Sequence, residues 1–243
     1  MIRLFHVSDV HFGAEDQAAL DWFAAAVDAE QPDAIVMTGD LTMRARSREF
    51  EAAAEWLGSF GRPLTVEAGN HDLPYHNPLR RLFRPYRRYR KVERAIERPL
   101  EIEGVAVVPL KTTARFQWRL NWSKGYVSRR RLDRALETIE KMQDRDDVVL
   151  VACHHPLIEP GTQATSRTRG GRSALESLAD AGVHAVLSGH VHDPYDRMHR
   201  VGGRTVRLIG AGTLSQRTRE APASFNEIIV DGRRIEVSPR MMG

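Results

Sequence analysis

Apolar runs and polar blocks alternate with a regular beat through the first 75 residues of this chain. Ile2 to Val7 reads as a buried strand that delivers Asp9 and His11 into the loop beyond it. Over residues 16–30 the apolar positions Ala18, Ala19, Leu20, Trp22, Phe23, Ala26 and Val27 fall at helical spacing. Ala34 to Met37 reads as a second strand ending at Gly39-Asp40, Glu49 to Leu57 as a helix, and Leu64 to Val66 as a third strand ending at Gly69. Strand, helix, strand, helix, strand is the order of a βαβ layer, so the pattern predicts an α/β fold. Open sheets of this class bind ligands beyond the carboxyl ends of their strands.

The middle of the chain is less regular. Residues 100–109 suggest a hairpin with Glu103-Gly104 at its turn, and residues 129–142 suggest a helix. Val148 to Ala152 is a strong strand pattern leading into His154; after a helical stretch at 173–181, His184 to Leu187 is another, leading into Gly189-His190. The C-terminal part reads as β-rich, with a Gly202-Gly203 turn, then Phe225 to Val230, Asp231-Gly232 and Arg234 to Val237. Asp-Gly between two such runs signals a type I′ hairpin. Residues 160–172 (PGTQATSRTRGGR) predict a flexible loop. With no internal repeat and no low-complexity linker, the expectation is one domain over residues 1–243.

Composition narrows the classes. A hydrophobic content of 42% suffices for a large core. Cys153 is the single cysteine, so no internal disulfide can form, which fits a reducing compartment. No signal peptide is readable and no apolar run reaches the ~18 residues that span a bilayer, so a cytoplasmic protein is expected. The charge is uneven. Arg80 to Arg94 alone carries a net +7, whereas the whole chain is +4, so the remainder is net acidic.

The polar blocks at the strand ends hold the chemistry. They are Asp9-Val10-His11, Gly39-Asp40, Gly69-Asn70-His71-Asp72, His154-His155-Pro156 and Gly189-His190-Val191-His192. Carboxylate, imidazole and carboxamide ligands suit a pair of Mn, Fe or Zn ions better than a structural zinc, which favours thiolates. Two such ions clamp a phosphate and generate a hydroxide at neutral pH. In Asp9-x-His11 and His190-x-His192 the side chains lie two residues apart, a spacing that aims both the same way on extended backbone. Gly39 and Gly69 precede ligands where a side chain would block close approach or where φ must be positive.

In their order these blocks resemble the calcineurin-like metallophosphoesterase family, whose pattern is D-x-H, G-D, G-N-H-[DE], a lone His and G-H-x-H. The resemblance spans residues 9–192. It implies a four-layer α/β/β/α sandwich of two mixed β-sheets. It implies that Asp9, His11, Asp40 and His192 hold one metal and Asp40, Asn70, His154 and His190 the other, with Asp40 bridging. Within the family's H-x-P block the ligand is the His two before Pro, which selects His154 over His155. By the same resemblance His71 faces the phosphate, stabilising charge or protonating the leaving oxygen, and Asp72 orients it. The phosphoprotein phosphatases of the family carry G-D-x-x-D-R-G, absent here. Its UDP-diacylglucosamine hydrolases carry Arg where His71 stands, and its double-strand-break nucleases carry an extra domain. The resemblance is to the bacterial cyclic-nucleotide phosphodiesterase branch. It implies a phosphodiesterase for a small anionic substrate, with a phosphomonoesterase or phospholipid-type diesterase as runner-up. A metal-bound nucleic-acid-binding module is the reading from another class, disfavoured because such a module needs no His71.

The remaining histidines and aromatics divide. His6 and His184 lie in strand patterns and read as structural, whereas His155 adjoins a ligand and His76 lies near the Gly69 block, so both are candidates for the pocket. Arg115, Trp118, Asn121 and Trp122 form an aromatic-rich cluster suited to packing or to stacking on a base. Phe83, Tyr86 and Tyr89 recur every three residues, which predicts one helix face packed on the core, started or kinked by Pro85. The cations among them read as a solvated face or as a steering patch for an anionic substrate, nucleic acid or lipid headgroup.

Overall fold

The computed structural model describes residues 1–74, 77–97, 100, 102–114, 123–142 and 145–243; His76 and the cluster at Arg115, Trp118, Asn121 and Trp122 lie outside them. In chain order the first half runs β1 (Ile2–Val7), α1 (Gln17–Glu30), β2 (Ala34–Met37), α2 (Ser47–Gly58), β3 (Leu64–Val66), α3 (Pro78–Phe83), α4 (Arg87–Ile96) and β4 (Val105–Pro109). The second half runs α5 (Arg129–Glu140), β5 (Val148–Ala152), α6 (Gly171–Asp180), β6 (Ala185–Ser188), β7 (Tyr195–Val201), β8 (Arg204–Gly210), β9 (Ser224–Asp231) and β10 (Arg234–Met241).

Two mixed five-stranded sheets result, one in the order β10-β9-β1-β2-β3 and the other β4-β5-β6-β8-β7. In the first, β1, β2 and β3 are parallel and β9 lies antiparallel to β1. In the second, β4, β5, β6 and β8 are parallel and β7 is antiparallel at the edge.

Side-chain alternation decides the layering. In β2, Ile35 and Met37 join a core with Phe23 of α1, Phe50 of α2 and Tyr89 of α4. Ala34 and Val36, on the opposite face, meet Leu150 and Leu187 of the other sheet. In β5, Val149 and Val151 pack under α5 and α6 with Ile139 and Leu178, while Val148, Leu150 and Ala152 face the first sheet. The layers are therefore helix, sheet, sheet, helix. Strands buried on both faces show unbroken apolar runs, which is why β2 and β5 are legible as strands. His6 points between the sheets, its Nε2 3.0 Å from Thr38 Oγ1 and its Nδ1 3.3 Å from Asn226 Nδ2. Burial pushes that imidazole down to about 3, so it is a neutral core group. His184 is half-buried and its Nδ1 accepts from the Val149 amide.

Two expectations need correction. The hairpin over 100–109 reduces to a single antiparallel bridge between Ile102 and Val105, and β4 instead lies parallel to β5. That pairing buries Val105 between the sheets and Val108 on the helix side. Phe83 is exposed rather than packed with Tyr86 and Tyr89. Pro85 has no N–H to continue a helix, so α3 stops at Phe83 and α4 starts afresh at Arg87. Tyr86 and Tyr89 do enter the core, and their hydroxyls donate to the carbonyls of Thr113 and Val66. Among the described residues, no helix is long and apolar enough to cross a membrane.

Candidate metal centre

The loops after β1, β2, β3, β5 and β6 converge at the carboxyl ends of both sheets. Backbone pairing continues past the strands: the His11 amide donates to the Asp40 carbonyl at 3.0 Å, and the Asp9 amide to that of Gly39 at 3.0 Å. Asp9, His11, Asp40, His190 and His192 all have left-handed backbone, with φ of 56°, 46°, 54°, 72° and 65°. The extended geometry expected for the two x-spaced pairs is therefore not what aims them. Each pair sits in a tight turn with alternate residues left-handed, a conformation that costs about 1 kcal/mol or more per residue and clusters at functional sites. Gly39 has φ +100°, and a Cβ there would lie 2.7 Å from His154 Nδ1. A Cβ on Gly69 would collide with the Asp40 side chain and amide. These two glycines let the loops from both sheets close on one another.

The side chains gather into two overlapping groups. In the first, Asp9 Oδ1 lies 3.1 Å from His192 Nε2 and 3.5 Å from His11 Nε2, and the two imidazole nitrogens are 3.3 Å apart. In the second, His154 Nε2 lies 3.3 Å from Asp40 Oδ2 and 3.2 Å from Asn70 Oδ1. The His190 ring meets that of His154 edge to face, 5.2 Å centre to centre. Asp40 stands between the groups, its Oδ2 3.8 Å from His11 Nε2. All seven ligand candidates from the sequence are brought together, and six of them are buried, His190 being partly so.

This donor set fits cations. Ligand atoms bound to one ion at about 2.1 Å sit roughly 3–3.4 Å from each other, and His11 Nε2 and His192 Nε2 are 3.3 Å apart. Asp9 Oδ1 is buried and has no hydrogen-bond partner among the described residues, while Oδ2 accepts from Ser8 Oγ and the His190 amide. His154 Nδ1 and His192 Nδ1 donate to the carbonyls of Thr38 and Arg217 at 2.8 and 2.7 Å. Those bonds keep the Nδ1 proton in place, so Nε2 is the atom each ring turns to the centre and the one that would ligate once unprotonated. Burial alone would raise the Asp9 carboxyl, but His192, His11 and His154 hold it well below the ordinary carboxylate value. Asp40 is likewise held down, against its burial, by His154, His71 and His11. Burial pushes His190 down to about 3, leaving it neutral. Burial would also lower His154, yet Asp40 draws its imidazole up to about 9, so a cation entering here displaces a proton.

The family model described as "Calcineurin-like phosphoesterase" matches residues 2–194. The chain belongs to the calcineurin-like phosphoesterase family. This phosphoesterase is 34% identical to a "Glycerophosphodiester phosphodiesterase GpdQ" of Enterobacter lignolyticus over 31% of its own length and 33% of that protein's, so only a third of that relative is matched. It is 25% identical to a "Probable cyclic nucleotide phosphodiesterase" of a Synechococcus species over 80% of its own length and 74% of the other's. Its fold resembles a dimetal phosphatase from Danio rerio with a TM-score of 0.67 and 13% identity, covering 99% of this chain and 96% of that one.

In the phosphoesterase His71 lies beside the candidate metal ligands, its ring 4.8 Å from that of His11. Its Nδ1 donates to the Met43 carbonyl at 2.8 Å, and its Nε2 accepts from Arg217 Nη1 at 3.1 Å. Asp72 does not orient that ring, contrary to the expectation from sequence. Its two oxygens accept from the amides of Leu41, Thr42 and Gly69 and from Thr42 Oγ1. It is the clamp between the β2 and β3 loops, and burial followed by the Asp40 charge pushes it up to about 7. His155 is no free ligand either. Its Nε2 donates to the Ser123 carbonyl and its Nδ1 accepts from Thr112 Oγ1, so both ring nitrogens are engaged and it serves as a wall beside His190. Burial raises the Cys153 thiol far above its ordinary value, and its sulfur donates to the His155 carbonyl, so it is no nucleophile.

Arg217 is the residue that sequence reasoning missed. Its guanidinium holds His71 and its carbonyl holds His192. It lies beyond the matched 2–194 segment, in a loop where Thr213 Oγ1 donates to the Asp9 carbonyl and Asp193 accepts from the amides of Glu220 and Ala221. No motif marks it, and only the folded chain brings it to the site.

Proposed function

We propose that this phosphoesterase is a two-metal phosphodiesterase acting on small anionic diesters, 3′,5′-cyclic nucleotides among them. The observation that carries this reading is Asp40, a buried carboxylate whose Oδ2 lies within 3.8 Å of an imidazole from each group, as a bridge requires. Asp9, His11 and His192 would complete one site, and Asn70, His154 and His190 the other. Two Mn, Fe or Zn ions held there would polarise the phosphate and supply a nucleophilic hydroxide at neutral pH. Asn70, being neutral, leaves more positive charge at its site than a carboxylate would. Arg217 would bring positive potential to the equatorial phosphate oxygens, which is where charge grows in the transition state, and His71, whose Nε2 accepts from it, would hold that guanidinium in place. Asp72 keeps the two loops in register so that these groups stay fixed. Ligands from both sheets favour treating residues 1–243 as one domain, and the lone cysteine favours the cytoplasm. The diesterase names of the two curated relatives support the substrate class.

The test compares bis-p-nitrophenyl phosphate with p-nitrophenyl phosphate, with and without added Mn²⁺, alongside metal analysis. The expected result is diester hydrolysis dependent on about two equivalents of metal per chain. Asp40→Ala should empty both sites, whereas His11→Ala should weaken mainly one. Full diesterase activity with one equivalent or none would overturn the two-metal reading, and a preference for the monoester would overturn the substrate class.

A further inference from the structure

Among the described residues six large apolar side chains are exposed, and three of them, Leu79, Leu82 and Phe83, belong to the six-residue helix α3. Their spacing of three and four residues puts them on one helix face. Such a stripe ordinarily turns to the core, but here it turns outward, with exposures of 70%, 44% and 73%. The neighbouring Arg81 is what faces the protein: it is 2% exposed and its Nη2 donates to the Ala114 carbonyl at 3.3 Å. The helix is also capped, Asn77 accepting from the Arg80 amide at 2.9 Å, so the outward stripe belongs to an ordered element.

Cations surround the stripe. A groove of about 1050 Å³ opens beside it between α4 and α5. Arg87, Arg90 and Arg94 line one wall, Arg130 and Arg134 the other, and among the described residues no carboxylate lines it. A second groove, of about 570 Å³, runs from Arg80 and Arg84 to Asp72 and Pro74, beside the loop that bears His71. Cations alone would suit any polyanion. Leu79 and Leu82, however, add nothing to a phosphate backbone and have no ring face on which a base could stack. A second copy of this chain would bring one +7 segment against another. Apolar side chains standing out of a cationic field match the boundary between acyl chains and anionic headgroups.

We propose that α3, with the cationic faces of α4 and α5, is a docking surface for an anionic lipid bilayer. Leu79, Leu82 and Phe83 enter the headgroup layer and the arginines hold its phosphates. Neither signal suffices alone, so docking is reversible and salt-sensitive. This inference goes beyond the proposed hydrolysis and does not depend on it.

The experiment is co-sedimentation of the metal-loaded protein with vesicles of phosphatidylcholine alone or mixed with phosphatidylglycerol, at about 0.1 M and about 1 M salt. Binding is expected only to the mixed vesicles at the lower salt. Leu79→Ser with Phe83→Ser should weaken it by roughly tenfold or more, given the worth of burying such side chains. Arg90→Gln with Arg94→Gln should weaken it too. Both pairs are exposed, so hydrolysis of a soluble diester should stay unchanged and report the fold. Absence of binding to the mixed vesicles would overturn the proposal. Binding indifferent to the Leu79 and Phe83 changes, and displaced by single-stranded RNA, would overturn it in favour of a nucleic-acid groove.

Discussion

His71 and Arg217 are a pair whose protons are assigned by their surroundings. A carbonyl only accepts, so the bond to Met43 puts the ring proton on Nδ1, and Nε2 accepts from Arg217. An imidazole so placed has no Nε2 proton to give the leaving oxygen and no positive charge of its own, so its part is to hold the Arg217 guanidinium that stabilises charge. His71→Ala should therefore keep both metals and lose roughly 10²–10³-fold in kcat, the usual worth of such a group. The loss should be the same for p-nitrophenyl and for alkyl leaving groups. A loss that vanishes with the better leaving group would show His71 to be a proton donor instead. Arg217→Lys should recover only part of the loss of Arg217→Ala, because a point charge cannot reproduce the guanidinium fork. At this scale the ligand candidates were legible because Asp, His and Asn stand directly after apolar runs. Asp72 was misleading because neighbours in sequence need not touch: its side chain turns back onto the β2 loop.

At the scale of elements, strand β3 is followed by a carboxyl that the core does not welcome. Glu67 is buried, and its Oε2 has no hydrogen-bond partner among the described residues. Burial pushes it from 4.5 up to about 8; Lys111 opposes the shift while Glu93 and Glu97 add to it. Folding at pH values between these two therefore takes up a proton. Stability falls as pH rises through that window, because the unfolded chain ionises first. Glu67→Gln should remove that dependence, so its advantage over the parent in urea unfolding should be small at pH 4.5 and largest above pH 8. Parallel stability profiles for the two proteins would refute the buried protonated carboxyl. The elements themselves were legible wherever a strand is buried on both faces, as in β2 and β5. The failures were local. Val105 to Pro109 looked like half of a hairpin because pairing with β5 depends on a strand some forty residues away. Phe83 looked buried because a spacing of three ignores the break at Pro85.

At the scale of the whole molecule, the candidate metal centre is the place where the two sheets are tied together. The first sheet supplies Asp9, His11, Asp40 and Asn70, and the second supplies His154, His190 and His192. Ions bound there stabilise the folded state by mass action, about 2.7 kcal/mol per site at a hundredfold excess over Kd. Stripping them with a chelator should lower Tm by roughly 5–10 °C for each such site in a chain of this size, and unfolding should remain a single transition. An unchanged Tm with metal removal verified by elemental analysis would contradict the shared site. The tie between the sheets was readable only as five blocks in order; the sheet orders themselves were not, because they pair β1 with β9 across more than two hundred residues. That pairing sets a timetable for synthesis. While a ribosome is still making the chain, β1 has one edge without a partner until Ser224–Asp231 has emerged. His192 and the Arg217 loop also leave the ribosome after every other part of the site. A nascent chain thus displays Asp9, His11 and Asp40 long before the second sheet can close over them.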